Sequence, residues 1–375
     1  MKIYRYVKPL ILLVFALTLF PLSASADGHT IRIVTWNLEW FYDNNTRDDN
    51  STIGRDFAAP NGREYNGRVI AVAEAVAEMQ PTILALQEVE NAKVVADIAV
   101  ELADEHGLAY EVAFVEGKDS YTGQDVAFLV EEGLLFEASR YRFPSAFRSR
   151  GYKDISKHLK LEVLVGDETI TLISVHLITS QDNRELQALT LRGWVENTVA
   201  SENIVILGDF NTRQRFNQTT PDSEMGIIRG FQTDDESDDF FDAHQILNDR
   251  STHVSGSELD RILLSPGLLD ETGYQLTEAN VRGDLAIRGS EDRSDGVDYD
   301  QPAAEQDISD HYPVIVTLTI PGFETATDDA DTAVSTDEDS LRQELLDALA
   351  QVESELQKLN EELETIRGLI EALDE

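Results

Sequence analysis

The stretch Val205-Ile-Leu-Gly-Asp-Phe-Asn-Thr-Arg213, VILGDFNTR, runs apolar for three residues and then presents a Gly, an Asp and an Asn. A β-branched apolar run that ends in glycine reads as a buried central strand reaching its terminus. Gly208 lets the backbone turn tightly, so that Asp209 and Asn211, two apart, emerge together at the strand's mouth. Alone, GDFN closes a strand with an Asx turn as readily as it builds a site. The decision rests on whether other strands end in the same way.

They do. TWNLEW (35–40) places Asn37 and Glu39 two apart after the first apolar run, and LALQEVEN (84–91) carries Glu88 at the end of the second. LISVHL (172–177) presents His176, LDRILLS (259–265) opens with Asp260, and ISDHYP (308–313) presents Asp310 and His311 before the last run. Together these ends supply hard oxygen ligands suited to Mg²⁺, Mn²⁺ or Ca²⁺ and a pair of imidazoles for proton transfer. The chain has no cysteine, which removes thiol nucleophiles, disulfides and thiolate zinc sites.

Around these motifs, short apolar runs alternate with amphipathic stretches from Thr30 to about Pro321, the pattern of an α/β or α+β domain. The predicted strands are 31–36, 82–89, 125–130, 158–165, 169–177, 203–210, 259–265 and 312–320. Helices are expected over 67–78, 92–105 and 183–200, where apolar residues recur at three and four. The polar segments 43–65 and 283–305 read as long surface loops.

The chain of 375 residues, 42% of them hydrophobic, is long enough for a sizeable core. Its 71 acidic residues against 30 basic ones give a formal net charge of -41. That excludes binding of nucleic acid through a broadly basic surface, so a polyanionic substrate has to be held locally. A second reading of the acidity is solvation in a saline medium, where screening weakens self-repulsion.

Both ends differ from this domain. At the N-terminus Lys2, Arg5 and Lys8 precede an apolar run from Pro9 to Phe20 and the small residues Ala24-Ser25-Ala26. This predicts a signal peptide over 1–26, secreted or periplasmic localisation, and no stable membrane span after cleavage. Beyond Pro321, residues 322–339 form an acidic linker. The stripe Leu345, Leu349, Val352, Leu356, Leu359, Leu363, Ile366, Ile370 and Leu373 then predicts a coiled coil over 340–375 and self-association into a homo-oligomer.

The ordered set TWNLEW, LALQEVEN, QDVAFLV, LISVHL, ILGDFNTR, LDRILLS and SDHYPV, covering about Ile31 to Ile320, resembles the endonuclease/exonuclease/phosphatase superfamily with its deoxyribonuclease I-like fold. The resemblance implies a four-layer α/β/β/α sandwich with two central mixed β-sheets and a site at one end. It implies Glu88 as the principal metal ligand, with Asn37, Glu39 and Asp310 in support. Asp209 matches the residue that orients or deprotonates the attacking water, and Asn211 the one that binds phosphate beside it. His311, held by Asp260, would stabilise phosphate charge, and His176 would stand near the leaving oxygen as general acid. Arg184 is a further candidate for phosphate, against the ordinary reading of a helical salt bridge. Trp36, Trp40 and Phe41 read as packing, with Trp40 a candidate for the rim. His29, His106, His158, His244 and His253 match no motif and read as ordinary surface or core residues.

The expected function is a secreted, divalent-metal-dependent phosphodiesterase, foremost a nuclease with DNA or RNA as substrate. A sphingomyelinase-like enzyme with a phospholipid substrate and a non-catalytic scaffold are the alternatives.

Overall fold

The computed structural model describes residues 30–47, 51–166, 168–198, 203–269, 274–289, 297–302 and 304–319. The predicted signal peptide, acidic linker and coiled coil lie outside them. In chain order the elements are β1 (Thr30–Phe41), α1 (Gly62–Met79), β2 (Ile83–Val89), α2 (Ala92–His106), β3 (Tyr110–Phe114), β4 (Asp125–Glu131), β5 (Leu135–Ser139), α3 (Ser145–Ser149), β6 (His158–Val165), β7 (Glu168–His176), α4 (Gln181–Thr198), β8 (Ile204–Asp209), α5 (Glu224–Arg229), β9 (Phe241–Asp242), β10 (Asp260–Leu264), β11 (Gln275–Val281), α6 (Gly283–Ala286) and β12 (Val314–Thr319).

The strands form two six-stranded sheets, ordered β11-β12-β1-β2-β4-β3 and β5-β6-β7-β8-β10-β9. Both are mixed: β1 runs parallel to β2 and β7 parallel to β8, while their other pairings are antiparallel. Side chains alternate across each strand, so one face of every central strand packs on the facing sheet and the other on helices. Ile31, Ile33, Ile83, Leu172, Leu207 and Ile262 lie in the core between the sheets. Trp36, Leu38 and Leu84 pack with α1 and α2 on the far side of the first sheet. Ile173, Ile206 and Leu263 pack with α3, α4 and α5 on the far side of the second. The result is four layers, helix, sheet, sheet and helix.

The inward-facing row changes character along each strand. In β7 it reads Ile170, Leu172, Ser174 and His176; in β8, Val205, Leu207 and Asp209; in β1, Ile31, Ile33, Thr35 and Asn37. Apolar contact between the sheets therefore gives way to polar groups at one end. Thr35 Oγ1 donates to Gln87 Oε1 at 3.2 Å, and Gln87 Nε2 donates to Ser174 Oγ at 3.1 Å, so hydrogen bonds join the sheets just beneath that end.

Three sequence expectations need correction. Strands β3, β5, β9 and β11 are absent from the sequence reading; β9 is only two residues long, and the mostly exposed or half-buried edge residues of the others carry too little apolar alternation to stand out. Helix α1 begins at Gly62 rather than 67, because Asn61 Oδ1 accepts from the Arg63 and Glu64 N–H groups and caps it. The segment 43–65 is more than loop: it holds a 3₁₀ turn at Gly54–Phe57 that ends beside the site.

Gly208 does not turn the chain out of the sheet. It stays within β8, at φ 128°, where an added β-carbon would lie 2.0 Å from the Val175 carbonyl oxygen of β7. Gly208→Ala is therefore expected to cost more than about 2 kcal/mol, through forbidden backbone geometry and a clash with a neighbouring strand. Thermal denaturation checks this, and an unchanged melting temperature would contradict it.

Candidate active site

The polar end of the sandwich collects residues from both sheets. In the second sheet the register sets His176, Asp209 and Asp260 side by side across β7, β8 and β10. In the first sheet, Asn37 of β1 lies opposite Gln87 of β2, and Asp310 and His311 precede β12. Alternation alone delivers Asn37, His176, Asp209 and Asp260 into the gap.

Glu88 arrives differently. Next to the inward-facing Gln87, it would point toward the helices if the strand continued regularly. A register shift between Gln87 and Val89, with Glu88 at φ 59°, turns it inward instead. A matching irregularity between Asn37 and Phe41 puts Glu39 at φ 44° and Trp40 at φ 49°. Of the five non-glycine residues with positive φ among the described residues, Glu39, Trp40, Glu88 and Asn211 are all here, which marks this end as the place where the fold stores backbone strain. Arg68 of α1, buried and absent from the sequence reading, holds it in place. Its guanidinium donates to the carbonyls of Leu38 (3.0 Å), Glu39 (3.1 Å) and Trp40 (3.1 Å) and, at 3.3 Å, to Ile308 in the segment leading to Asp310.

The carboxylates are held by donors. Glu88 Oε1 accepts from Asn37 Nδ2 at 3.0 Å, and Glu88 Oε2 accepts from the Trp40 N–H at 3.0 Å and Gln124 Nε2 at 2.6 Å. Asn37 Nδ2 also donates to Asp209 Oδ2 at 3.1 Å, while Asn37 Oδ1 accepts from the Glu39 N–H at 2.9 Å. Asn37 thus bridges the two carboxylates through its amide nitrogen. Asp209 Oδ1 accepts from the Asn211 N–H at 2.7 Å, and Asn211 Nδ2 is shared between Asp209 Oδ2 (3.1 Å) and the Leu177 carbonyl (2.9 Å). Glu39 Oε2 accepts from the Asp310 N–H at 3.0 Å, tying the irregular end of β1 to the segment before β12.

Electrostatics separate the titratable groups. Burial raises the Asp209 carboxyl to about 7, against the pull of nearby His311, with Asp260 and Glu88 adding repulsion. Burial also opposes a charge on His311, but Asp260, whose Oδ2 is 2.8 Å from His311 Nδ1, together with Asp209 and Asp310, raises it well above the ordinary histidine range. His311 is therefore an imidazolium at neutral pH. His176 is the opposite case: burial first, then Lys157 and His311, lower its pKa well below the ordinary value, and it is neutral. Its Nε2 lies 3.5 Å from Asp209 Oδ2 and 3.7 Å from Glu88 Oε1.

These residues fit a hard divalent cation. Ligand atoms of Glu88, His176 and Asp209 all lie within 4.8 Å of one another; those of Asp209, Asp260 and His311 do too, but the His311 imidazolium has no lone pair to offer a metal. Asp260 Oδ1 is buried without a hydrogen-bond partner. Two carboxylates facing each other across a neutral imidazole leave negative charge that a cation would neutralise, and oxygen donors with no thiolate suit the Mg²⁺ class.

Asp310 has a partner that sequence reasoning passed over. His253 Nε2 lies 3.0 Å from Asp310 Oδ2, and its ring meets that of His311 edge-on at 4.7 Å. His253 Nδ1 accepts from the Ser255 N–H at 2.9 Å, so Nε2 is the nitrogen that carries a proton and donates it to Asp310. In the grouping of His253, Asp310 and His311, Nε2 of His253 is thus committed to Asp310, whose other oxygen lies 3.8 Å from His311 Nε2. His253→Ala is expected to lower kcat/KM about tenfold and to raise the divalent-cation concentration needed for half-maximal rate, the usual result of freeing a ligating carboxylate. Metal titration of the initial rate measures both; unchanged values in both would remove His253 from the site. Its sequence signal was invisible because 253 and 310 meet only through a bridge between loop residues and the segment before β12.

Arg184 takes the ordinary reading, a salt bridge. It is buried, its Nε donates to Glu224 at 2.8 Å, and its Nη1 donates to the carbonyls of Ile178 and Thr179, so it braces the loop after His176 instead of facing phosphate. Trp36 is core, though its indole N–H donates to the His311 carbonyl at 2.9 Å. Trp40 lies at the rim, as expected. A cavity of about 760 Å³ opens over the site, with Glu39, Glu88, His176, Asp310 and His311 in its lining.

The family model described as Endonuclease/Exonuclease/phosphatase family matches residues 34–311. Among solved structures, a D. rerio TDP2 humanized by 14 mutations shares 13% identity, covering 77% of this chain and 99% of its own, with a TM-score of 0.51. An endonuclease/exonuclease/phosphatase from Bacteroides vulgatus shares 16%, covering 78% and 99%, with a TM-score of 0.48. D. rerio TDP2 complexed with a single strand DNA product shares 14%, covering 77% and 99%, with a TM-score of 0.49. No curated protein matches the chain.

Proposed function

The chain belongs to the endonuclease/exonuclease/phosphatase family and is a phosphoesterase, and from that premise we propose that it is a secreted, divalent-metal-dependent nuclease hydrolysing phosphodiester bonds by water attack. The observation that carries the mechanism is the pairing, within 4.8 Å, of Asp209, a buried carboxyl raised to about 7, with His311, a buried imidazolium that lines the cavity. A base of that basicity takes a proton from water near neutral pH. The imidazolium, oriented by Asp260, donates to a phosphate oxygen and offsets charge developing in the transition state.

Glu88, with Glu39 and Asp310 near it and Asn37 orienting it through the amide nitrogen, would hold the cation, which when bound supplies positive charge to a phosphate oxygen. The Asn211 amide keeps Asp209 in place and lies beside the path to phosphate. Neutral His176 favours a hydrogen-bond donor over the general acid that the resemblance implied, because it has no readily lost proton near pH 7.

Nucleic acid is favoured over phospholipid by the surface. Among the described residues the exposed large apolar side chains are few: Leu135 and Leu164 face each other across β5 and β6, Tyr121 and Ile178 line the cavity, and Ile70, Val100 and Ile246 stand on separate segments. No helix among the described residues is long and apolar enough to cross a membrane. Export rests on the N-terminal signal pattern and self-association on the C-terminal heptads; mass measurement of the exported chain, and of a form truncated from residue 335, tests them.

The decisive experiment offers plasmid DNA, single-stranded oligonucleotides, RNA, sphingomyelin vesicles and bis-p-nitrophenyl phosphate to the purified protein with Mg²⁺ or with a chelator. Mg²⁺-dependent cleavage of a nucleic acid is expected, with loss on chelation. Intact nucleic acids beside cleaved sphingomyelin would overturn the nuclease reading, and silence on every substrate would favour a scaffold.

A further inference from the structure

Trp40, Phe57 and Tyr121 belong to none of the three apolar cores, yet all three line the cavity over the site. Trp40 and Phe57 are stacked with ring centroids 3.7 Å apart and planes 10° from parallel, and Tyr121 is 61% exposed. Packing does not account for a stacked pair outside every core. The wall is nonetheless built: the Thr52 and Ile53 N–H groups donate to the Tyr121 carbonyl at 3.0 Å, joining the segment that carries Phe57 to the one that carries Tyr121. Trp40 is fixed to the site itself, since its N–H is one of the donors that hold Glu88.

The same cavity contains Lys153 and Lys157, in a chain of net charge -41. Lys157 is engaged, 3.2 Å from Asp119 and 2.5 Å from Gln124. The exposed ammonium of Lys153 has no ion-pair partner among the described residues. Aromatic faces beside a cation, adjoining a phosphate-cleaving centre, match a nucleotide chain: the base finds a π-face and the neighbouring phosphate a positive charge. In a duplex the base faces are already stacked on their neighbours, so only an unpaired base can use such a wall.

Resting on the nuclease reading, we propose that Trp40, Phe57 and Tyr121 form a stacking subsite for an unpaired nucleobase next to the scissile phosphate, with Lys153 meeting the adjoining phosphate. The preferred substrate is therefore single-stranded nucleic acid or a frayed end.

The test uses the full-length chain carrying Asp209→Asn, with Mg²⁺, so that substrate binds without turnover. Trp36 and Trp194 are fully buried, which leaves Trp40 as the tryptophan able to report contact. A short single-stranded oligonucleotide is expected to quench tryptophan fluorescence and to bind about tenfold more tightly than the same sequence as duplex or an abasic backbone of equal length. Adding Phe57→Ala, or the exposed Tyr121→Ala as a variant that leaves the fold alone, should lower single-strand affinity about tenfold and abolish the gap to the abasic backbone. Equal binding of the single-stranded and abasic ligands, or no effect of Tyr121→Ala and Phe57→Ala in folded protein, would overturn the subsite. Quenching by phosphocholine but not by oligonucleotide would overturn it in favour of a lipid head group. Cleavage assays of the wild type keep the two readings apart: cleaved nucleic acid with equal abasic binding sinks only the subsite, whereas hydrolysis of bis-p-nitrophenyl phosphate without any nucleic acid sinks the nuclease.

Discussion

Asp209→Asn should lower kcat about 10³-fold while the protein remains folded. The amide keeps the size of the carboxylate and, with its oxygen at the Oδ1 position, the acceptor for the Asn211 N–H; its NH₂ then faces the Asn37 and Asn211 amides, which have to turn, and it cannot take a proton from water. Loss of the base rather than loss of structure is then what the rate reads. The substitution should also change stability in the metal-free protein, and the sign follows from burial. With its folded pKa raised to about 7, Asp209 retains a proton between about pH 4 and 7 that the unfolded chain has already released. Its contribution therefore becomes steadily less favourable as pH rises through that window and levels off above it. Relative to wild type, the Asn variant should melt at increasingly higher temperature from pH 4 to 7 in chelator. Retained activity would remove Asp209 as the base, and a pH-independent difference in melting temperature would contradict the buried charge.

Glu88→Gln is the second large effect, expected at about 10²- to 10³-fold or more in kcat/KM. Its two carboxylate oxygens accept from Asn37, Trp40 and Gln124, and an amide NH₂ in place of one oxygen would set donor against donor. The same change removes a negative charge from the cation site. Mg²⁺ should raise the melting temperature of the wild type in proportion to the logarithm of its concentration and leave that of Glu88→Gln nearly unmoved. A variant that is still stabilised by Mg²⁺ would place the principal ligand elsewhere.

Both effects depend on two sheets closing at one end, and the sheets were largely legible. The central strands announce themselves because they are buried on both faces, which forces β-branched and apolar residues at nearly every position of β1, β2, β7, β8 and β10. Edge strands such as β11, with glutamate and asparagine on a solvent-facing row, carry no such constraint and went unread. Within the site, residues delivered by strand alternation were found from local motifs. His253, Arg68 and Gln124 were not, since each acts on a partner far along the chain, and a lone His, Arg or Gln has no periodicity to betray it.

By itself the sequence determined that apolar strands end in carboxylates, amides and imidazoles, because a buried strand and its polar terminus are local patterns of hydrophobicity and chain direction. It also selected Asp209 as the carboxylate of VILGDFNTR that faces the gap, through the period of two. Only the tertiary structure decided how those groups act. Glu88 reaches the site through a left-handed residue that no alternation rule predicts, and the neighbouring left-handed pair Glu39 and Trp40 is held by Arg68 from helix α1. Charges on Asp209, His176 and His311 diverge because each is buried among different neighbours, and protonation in a low-dielectric cleft depends on distances between segments rather than on residue type.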